Sequence, residues 1–341
     1  MKAVVYSSTG GPEVLRLVER AVPEPGPGQV RVAVHVSGVN PTDWKSRRGA
    51  APGQPTPFPV MVPNQDGAGV VDAVGPGVVR LRPGARVWVW EAAWQRADGT
   101  AQEYVVLPQH QVVELPDDVS LDVGASLGIP ALTAHRALTV LEGGPDRLLP
   151  GALLDRTVLI AGGAGAVGHA AIQLARWAGA RVLTTVSGPG KAQLATLAGA
   201  HHVIDYRAQD AAAAVRELEP GGVDLVLEVA PGPNAALDAA VLAPGATVAV
   251  YANNGGEELT LPVRAHMTTN TRYQFVLVYT VSPRAKEHAV EDVSAAVGAG
   301  VLGVGQEQGL PLHRYPLAEV AAAHAAVESG VTGKVLVDVR H

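Results

Sequence analysis

Between residues 157 and 179 the chain leaves itself few ways to fold. Thr157–Ala161 is an apolar run without alternation, the pattern of a strand covered on both faces. Gly163-Ala164-Gly165-Ala166-Val167-Gly168 follows. Val167, Ala171, Leu174, Ala175 and Ala178 then share one helical stripe, and Gly179 is a natural stop. A buried strand, a glycine turn and an amphipathic helix, in that order, make one unit of a doubly wound parallel sheet. The Gly-x-Gly-x-x-Gly spacing is weak by itself, since 39 glycines supply roughly half a match by chance. Indeed Gly298-Ala299-Gly300-Val301-Leu302-Gly303 repeats it behind a helix, where it reads as a turn. In the first context the early glycines permit a tight turn and close backbone approach, and the helix start offers unpaired N–H groups at its positive dipole end. Gly163, Gly165, Ala166, Val167 and Gly168 are thus candidate contacts for a dinucleotide pyrophosphate. The plainer alternative is a glycine-rich loop of any α/β protein.

The rest of the chain has two textures. Up to about residue 120, short valine-rich or alternating runs (Lys2–Tyr6, Val14–Val18, Gln29–Val39, Gly67–Val74, Arg86–Val89, Tyr104–Leu107) are separated by Gly-Pro, Pro-Gly and Asp-Gly turns, which predicts a barrel or sandwich. From about Asp122 strands alternate with helices: strands at Arg181–Val186, His202–Asp205, Val223–Val229, Thr247–Tyr251 and Tyr273–Tyr279, helices at Lys191–Leu197 and Asn234–Leu242. Helices at Arg284–Gly298 and Leu317–Glu328 and a strand at Lys334–Val339 complete the chain. That last strand has no obvious place in the parallel sheet and is expected back in the first domain. The expected division is 1–122 with 283–341, and 123–282.

The second strand of a dinucleotide sheet usually ends in Asp or Glu, bonded to the ribose hydroxyls of NAD. Here it ends Thr184-Thr185-Val186-Ser187-Gly188. An acid there would repel a 2′-phosphate, whereas Ser187 can donate to one and Lys191 lies four residues on. Tyr206, with Arg207, ends the neighbouring strand. A lysine about 4 Å from a phosphate oxygen gains about 4 kcal/mol at an effective dielectric of 20, before desolvation. The cofactor read from these residues is NADPH, although Lys191 can also be a solvated helix start.

Composition excludes several classes. Of 341 residues 47% are apolar and 17% charged, too apolar for a disordered chain. Lysine and arginine total 26 against 32 acids, a net charge of −6 with no basic block, so nucleic acid is not the expected partner. With no cysteine, disulfides, thiolate nucleophiles and cysteine-bearing zinc sites are out. No apolar signal core follows Met1, and the longest uncharged stretch, Ala239 to Gly256, is broken by turn residues. The expectation is a cytoplasmic protein without membrane spans.

Several blocks occur in an order similar to that of the zinc-independent medium-chain dehydrogenases/reductases, specifically the quinone oxidoreductase and zeta-crystallin-like proteins. They are Gly10-Gly11-Pro12-Glu13-Val14-Leu15, Gly38-Val39-Asn40-Pro41-Thr42-Asp43, Asp66-Gly67-Ala68-Gly69-Val70-Val71, Pro83-Gly84-Ala85-Arg86-Val87, Gly163 to Gly168, Gly199-Ala200, Tyr206-Arg207 and Thr332-Gly333-Lys334. The resemblance implies a discontinuous GroES-like β-barrel domain, a Rossmann NADPH-binding domain, a substrate cleft between them, and a homodimer. The edge position expected for Tyr273–Tyr279 agrees with self-pairing. By the resemblance Ser187, Lys191 and Tyr206 match positions used for the 2′-phosphate. Asn40 and Thr133 align with groups lining the nicotinamide site, and Tyr251, Asn253, Val278 and Tyr279 fall on loops approaching that ring.

Zinc relatives carry Gly-His-Glu where this chain has Asn64-Gln65-Asp66, and cysteine at Asn40, so no metal is expected. Neighbours His201 and His202 would point to opposite faces of a strand. Without a Lewis acid, an electron-poor quinone or enone is a better hydride acceptor than an alcohol is a donor, and the protein's task is to bring nicotinamide C4 within roughly 3–3.5 Å of it. Lys45 stands where many quinone reductases have tyrosine. It either orients the acceptor carbonyl or donates a proton, or it is a surface lysine; Asp43 reads as a helix cap. Quinone reduction leads, reduction of an enoyl or alkenal double bond is the alternative, and a crystallin-like NADPH-binding protein without turnover is a third reading.

Overall fold

In the computed structural model, which describes residues 1–340, the chain divides into two units: Met1–Ile129 with the segment from Leu312 on, and Pro130–Pro311.

The first unit is built on one long strand. After the antiparallel pair β1 (Lys2–Val5) and β2 (Arg16–Glu19), β3 runs from Gln29 to Val39. Val30, Val32 and Val34 are fully buried, as a half-buried strand of period two requires. The helix α1 (Pro41–Arg48) leads to β4 (Asp66–Val74), which pairs along nearly all of β3. Register slips between Arg31 and Val32 and between Val34 and Val36 bend that pair. β5 (Arg86–Val89), β6 (Tyr104–Pro108) and β7 (Val112–Glu114) follow, with β6 on the other edge of β3 along Gln29–Ala33. The short helix α2 (Leu121–Gly124) precedes α3 (Gly128–Leu138), and the division between units falls in the first turn of α3.

The second unit is the alternating region. Six strands, β8 (Thr157–Ala161), β9 (Arg181–Val186), β10 (His202–Asp205), β11 (Val223–Glu228), β12 (Leu242–Val250) and β13 (Arg272–Phe275), form one all-parallel sheet in the order β10-β9-β8-β11-β12-β13. Order 3-2-1-4-5-6 is the doubly wound Rossmann arrangement, with the binding crevice at the carboxyl ends beside the first strand. The helices are α4 (Ala166–Trp177), α5 (Pro189–Leu197), α6 (Ala211–Leu218), α7 (Pro231–Val241), α8 (Val263–Thr269) and α9 (Pro283–Gly298). All five residues of β8 are buried, which is why it shows no alternation.

The chain then returns to the first unit as β14 (Leu312–Pro316), α10 (Val320–Glu328) and β15 (Lys334–Asp338). β15 lies antiparallel to β3 along Val36–Val39, completing the edge that β6 leaves open. No helix of the described residues is long and apolar enough to cross a membrane.

Four expectations are corrected. Residues 283–311 belong to the second unit, because α9 carries Asp292, whose carboxylate accepts from Arg147 Nε (2.7 Å) and the Leu148 N–H (2.6 Å) and pairs with His135 Nε2 (2.8 Å). The first break moves from 122 to 129. The strand expected over Tyr273–Tyr279 stops at Phe275, because its ladder partner β12 ends at Val250; Val278–Thr280 is a 3-10 turn. The helix expected over Asn234–Leu242 stops at Val241 and the strand expected from Thr247 starts at Leu242, with Pro244-Gly245 bulging out inside β12, where the partner register jumps from Leu242 to Thr247.

Candidate active site

The glycine turn joins β8 to α4. Gly162, one residue before the motif, takes the left-handed conformation (φ 73°), and the Gly165 N–H closes the turn onto the Gly162 carbonyl at 3.0 Å. A Cβ on Gly163 would lie 2.2 Å from Thr184 Oγ1 of the next strand, and one on Gly168 would lie 2.4 Å from the Gly162 carbonyl. Both positions therefore need glycine for packing. Gly165 is exposed and caps α4, so the N–H groups of Ala166, Val167 and Gly168 form the open first turn of that helix. Unpaired backbone donors at a helix start, behind an exposed glycine cap, suit a pyrophosphate.

Ser187 and Lys191 meet at the carboxyl end of β9, and the backbone of Tyr206 follows the end of the neighbouring β10. Lys191 Nζ donates to Ser187 Oγ at 3.1 Å, and the Tyr206 N–H donates to the Val186 carbonyl at 3.1 Å, placing Tyr206 beside Ser187. Tyr206 is 51% exposed and Lys191 is exposed, while Ser187 is half-buried.

The other expected cofactor contacts in this unit differ in accessibility. Thr133 on α3 is buried, as are Val278 and Tyr279 in the turn after β13. Tyr251 and Asn253 follow β12. The Tyr251 N–H donates to the Glu228 carbonyl (3.0 Å), while Asn253 is exposed and donates from Nδ2 to Glu257 (2.9 Å).

In the first unit the Asn-Pro-x-Asp block opens α1. Asn40, expected beside the nicotinamide, is 2% exposed and its amide is already engaged. Nδ2 donates to Asp66 Oδ2 (2.7 Å) and Oδ1 accepts from Lys334 Nζ (2.7 Å). The backbone N–H of Asn40 donates to Asp43 Oδ2 (2.7 Å), so Asp43 caps the helix as its spacing suggests. Lys334 also donates to the Val39 carbonyl (3.3 Å) and lies 3.7 Å from Asp66 Oδ2. Two carboxyls and one ammonium thus share one buried cluster. Burial, and then the Asp66 charge, pushes Asp43 up to about 8; burial raises Asp66 against the pull of Lys334 and Asn40; and burial lowers Lys334. With Asp43 protonated the cluster is neutral near pH 7. Lys45 is exposed on α1, its Nζ 5.9 Å from the Trp44 ring centre.

These residues do not fit zinc. An ammonium occupies the hydrogen-bonding position facing Asn40, and the Gln65 Oε1 accepts from the Ala93 N–H. No group of three or more histidine and acidic side chains among the described residues converges as a metal site. His201 lies before β10 begins, so strand alternation does not apply to this pair; the His201 ring contacts Arg176 and the His202 ring contacts Arg181.

Three buried clusters went unread in the sequence: Asp66 with Lys334, Asp292 with His135 and Arg147, and Glu228 with Asp238. Each joins residues distant along the chain, or on different elements. The only local signals are single charges inside apolar runs, such as Lys334 ahead of Val-Leu-Val and Glu228 after Leu-Val-Leu.

The zinc-binding dehydrogenase pattern matches residues 166–295, and the alcohol dehydrogenase GroES-like domain pattern matches residues 26–117. A human quinone oxidoreductase is 31% identical over 344 aligned positions, covering 98% of this chain and 97% of that protein. Among solved structures, an NAD-dependent alcohol dehydrogenase superposes with a TM-score of 0.86 at 29% identity, covering all of both chains. A mycobacterial protein solved with NADPH gives a TM-score of 0.82 at 30% identity over 99% of each chain. Shared order of blocks, two matched domain patterns and full-length similarity converge: the chain belongs to the quinone oxidoreductase family of medium-chain dehydrogenases/reductases, which are NAD(P)-dependent oxidoreductases.

Proposed function

We propose that the protein reduces quinones and related conjugated carbonyls with NADPH, without a metal, as a cytoplasmic homodimer. The observation that carries this reading is the Ser187–Lys191 pair, 3.1 Å apart, where an NAD site would present an acid. A serine hydroxyl and an ammonium favour a 2′-phosphate through charge-assisted hydrogen bonds, and the exposed face of Tyr206 can cover the adenine side. The pyrophosphate fits the first turn of α4, and Tyr251, Asn253, Thr133, Val278 and Tyr279 belong to the nicotinamide half. When bound, NADPH supplies a hydride from nicotinamide C4.

The chain's own residues then have two tasks. They hold donor and acceptor at reacting distance, a task worth several orders of magnitude in rate, and they let one proton reach the reduced acceptor. Asn40, locked by Asp66 and Lys334, is a rigid wall element in this reading. Lys45, an exposed ammonium on α1, is the candidate to orient or protonate the acceptor carbonyl. Lysine in place of the family's tyrosine also favours a second reading, reduction of the double bond of a 2-alkenal.

A panel of quinones and 2-alkenals with NADPH tests both. Quinone turnover well above alkenal turnover supports the first reading, the reverse supports the second, and oxidation of NADPH by neither group refutes both. In the same assay Lys45→Met should lower turnover more than NADPH affinity; unchanged turnover removes Lys45 from the mechanism.

A further inference from the structure

Glu228 is the last residue of β11, at the carboxyl end of the sheet, and is fully buried. Its carboxylate accepts from the Ala230 N–H and from Asn234 Nδ2 at 3.0 and 3.1 Å, holding the N-terminus of α7. Asp238, one to two turns further along α7, is 1% exposed, and no donor among the described residues reaches either of its oxygens. Its polar neighbour is Glu228, another acceptor. Two buried carboxyls without a cation can coexist only by sharing a proton, with one donating to the other. The assignment is clear from the partners. Glu228 uses its oxygens on Ala230 and Asn234, so the proton belongs on Asp238. Burial, and then the Glu228 charge, pushes Asp238 up to about 9.

What this pair supports lies directly above it. The N-terminus of α7 packs against residues 251–258: a Cβ on Gly232 would lie 3.0 Å from the Glu258 carbonyl, and one on Gly255 would meet Pro233 Cγ at 2.6 Å. The Asn254 N–H donates to the Val229 carbonyl at 3.0 Å. Tyr251 lies close enough for the Glu228 charge to raise its phenol further than burial alone. The other titratable groups facing the pair are Tyr273 on β13, raised by burial and by both acids, and His266 on α8, within 3.4 Å of the Tyr273 hydroxyl.

We propose that Asp238 is a positioning residue for the cofactor: as a proton donor to Glu228 it keeps that carboxylate seated on α7 and so fixes the 251–258 segment that carries Tyr251 and Asn253. The inference rests on the proposed cofactor reading for those two residues. Loss of the shared proton leaves two buried anions, which drives Glu228 off the helix and loosens the segment above.

The test compares NADPH dissociation constants of the wild type and Asp238→Asn from pH 7 to 10.5. One linked proton weakens binding by at most tenfold per pH unit above its pKa. The wild type should hold constant affinity to about pH 8 and lose roughly tenfold by pH 10, whereas Asp238→Asn, whose amide donates without titrating, stays flat. Titration at the phosphate corner is common to both proteins and cancels. Parallel alkaline losses in the two proteins, or a flat wild type, overturn the proposal. Glu228→Gln, which removes the second charge, should also be flat and replaces Asp238→Asn if that variant fails to fold. Hydrogen exchange of amides 251–258 in cofactor-free protein, compared as protection factors, reads the same loosening independently. If NADPH binds at no pH, the cofactor reading fails while the exchange result still decides whether the pair holds the segment.

Discussion

Replacing Lys334 by methionine probes the buried charges of the first unit most directly. The side chain is 1% exposed, and its ammonium faces Asn40 Oδ1 at 2.7 Å and Asp66 Oδ2 at 3.7 Å. Methionine keeps the length and apolar stem while removing the charge. Asp66, fully buried, keeps only the Asn40 amide and the Ile129 N–H (2.9 Å) as partners. Breaking one side of a buried pair costs about 3–5 kcal/mol, because the remaining charge is uncompensated. The loss should depend on pH. Without Lys334 the folded-state pKa of Asp66 rises further above its unfolded value. Folded protein then binds the extra proton, so the deficit is smallest near pH 4 and grows toward pH 7 at up to about 1.4 kcal/mol per unit. Four of the five tryptophans, Trp44, Trp88, Trp90 and Trp94, lie in this unit, so urea unfolding followed by tryptophan fluorescence reports on it. Adding Asp66→Asn to Lys334→Met should cost less than the sum of the single changes, with a coupling of about 1–3 kcal/mol. A deficit below about 1 kcal/mol, or additive behaviour, refutes the account of Lys334 as the counter-ion that this cluster requires.

Two further outcomes are expected. Lys191→Ala should weaken NADPH several-fold or more and leave NADH nearly unchanged in fluorescence titrations, since Lys191 and Ser187 form the proposed phosphate corner; equal losses remove it from that role. The edge strand β13 exposes Phe275 (63%) with Leu277 (54%) just beyond, an edge suited to self-pairing. Light scattering should therefore give a dimer for the wild type and a monomer for Phe275→Asp, and a monomeric wild type would contradict the proposed assembly.

Local signals carried a long way where each side chain's environment follows from its neighbours in sequence. β8, the glycine turn and α4 were legible because a strand covered on both faces must be apolar throughout, and a helix packed on it must show a stripe. Ser187 and Lys191 were legible for the same reason: four residues of one strand-to-helix turn fix their separation, and 3.1 Å is the result. Boundaries failed where a partner sets them. β13 ends at Phe275 where β12 has ended beside it, and α9 is tied to the second unit by partners far off in sequence, Asp292 on His135 and Arg147 among them.

The alternation of strands and helices, the glycine turn and the absence of an acid at Ser187 were legible in the sequence alone, since each rests on residues close together along the chain. The raised pKa values of Asp43 and Asp238, the locking of Asn40 by Lys334, and the seat of the Glu228 carboxylate on α7 were decided only by tertiary structure. A charge has no fixed cost until its burial and partners are known, and those partners lie from ten to nearly three hundred residues away along the chain.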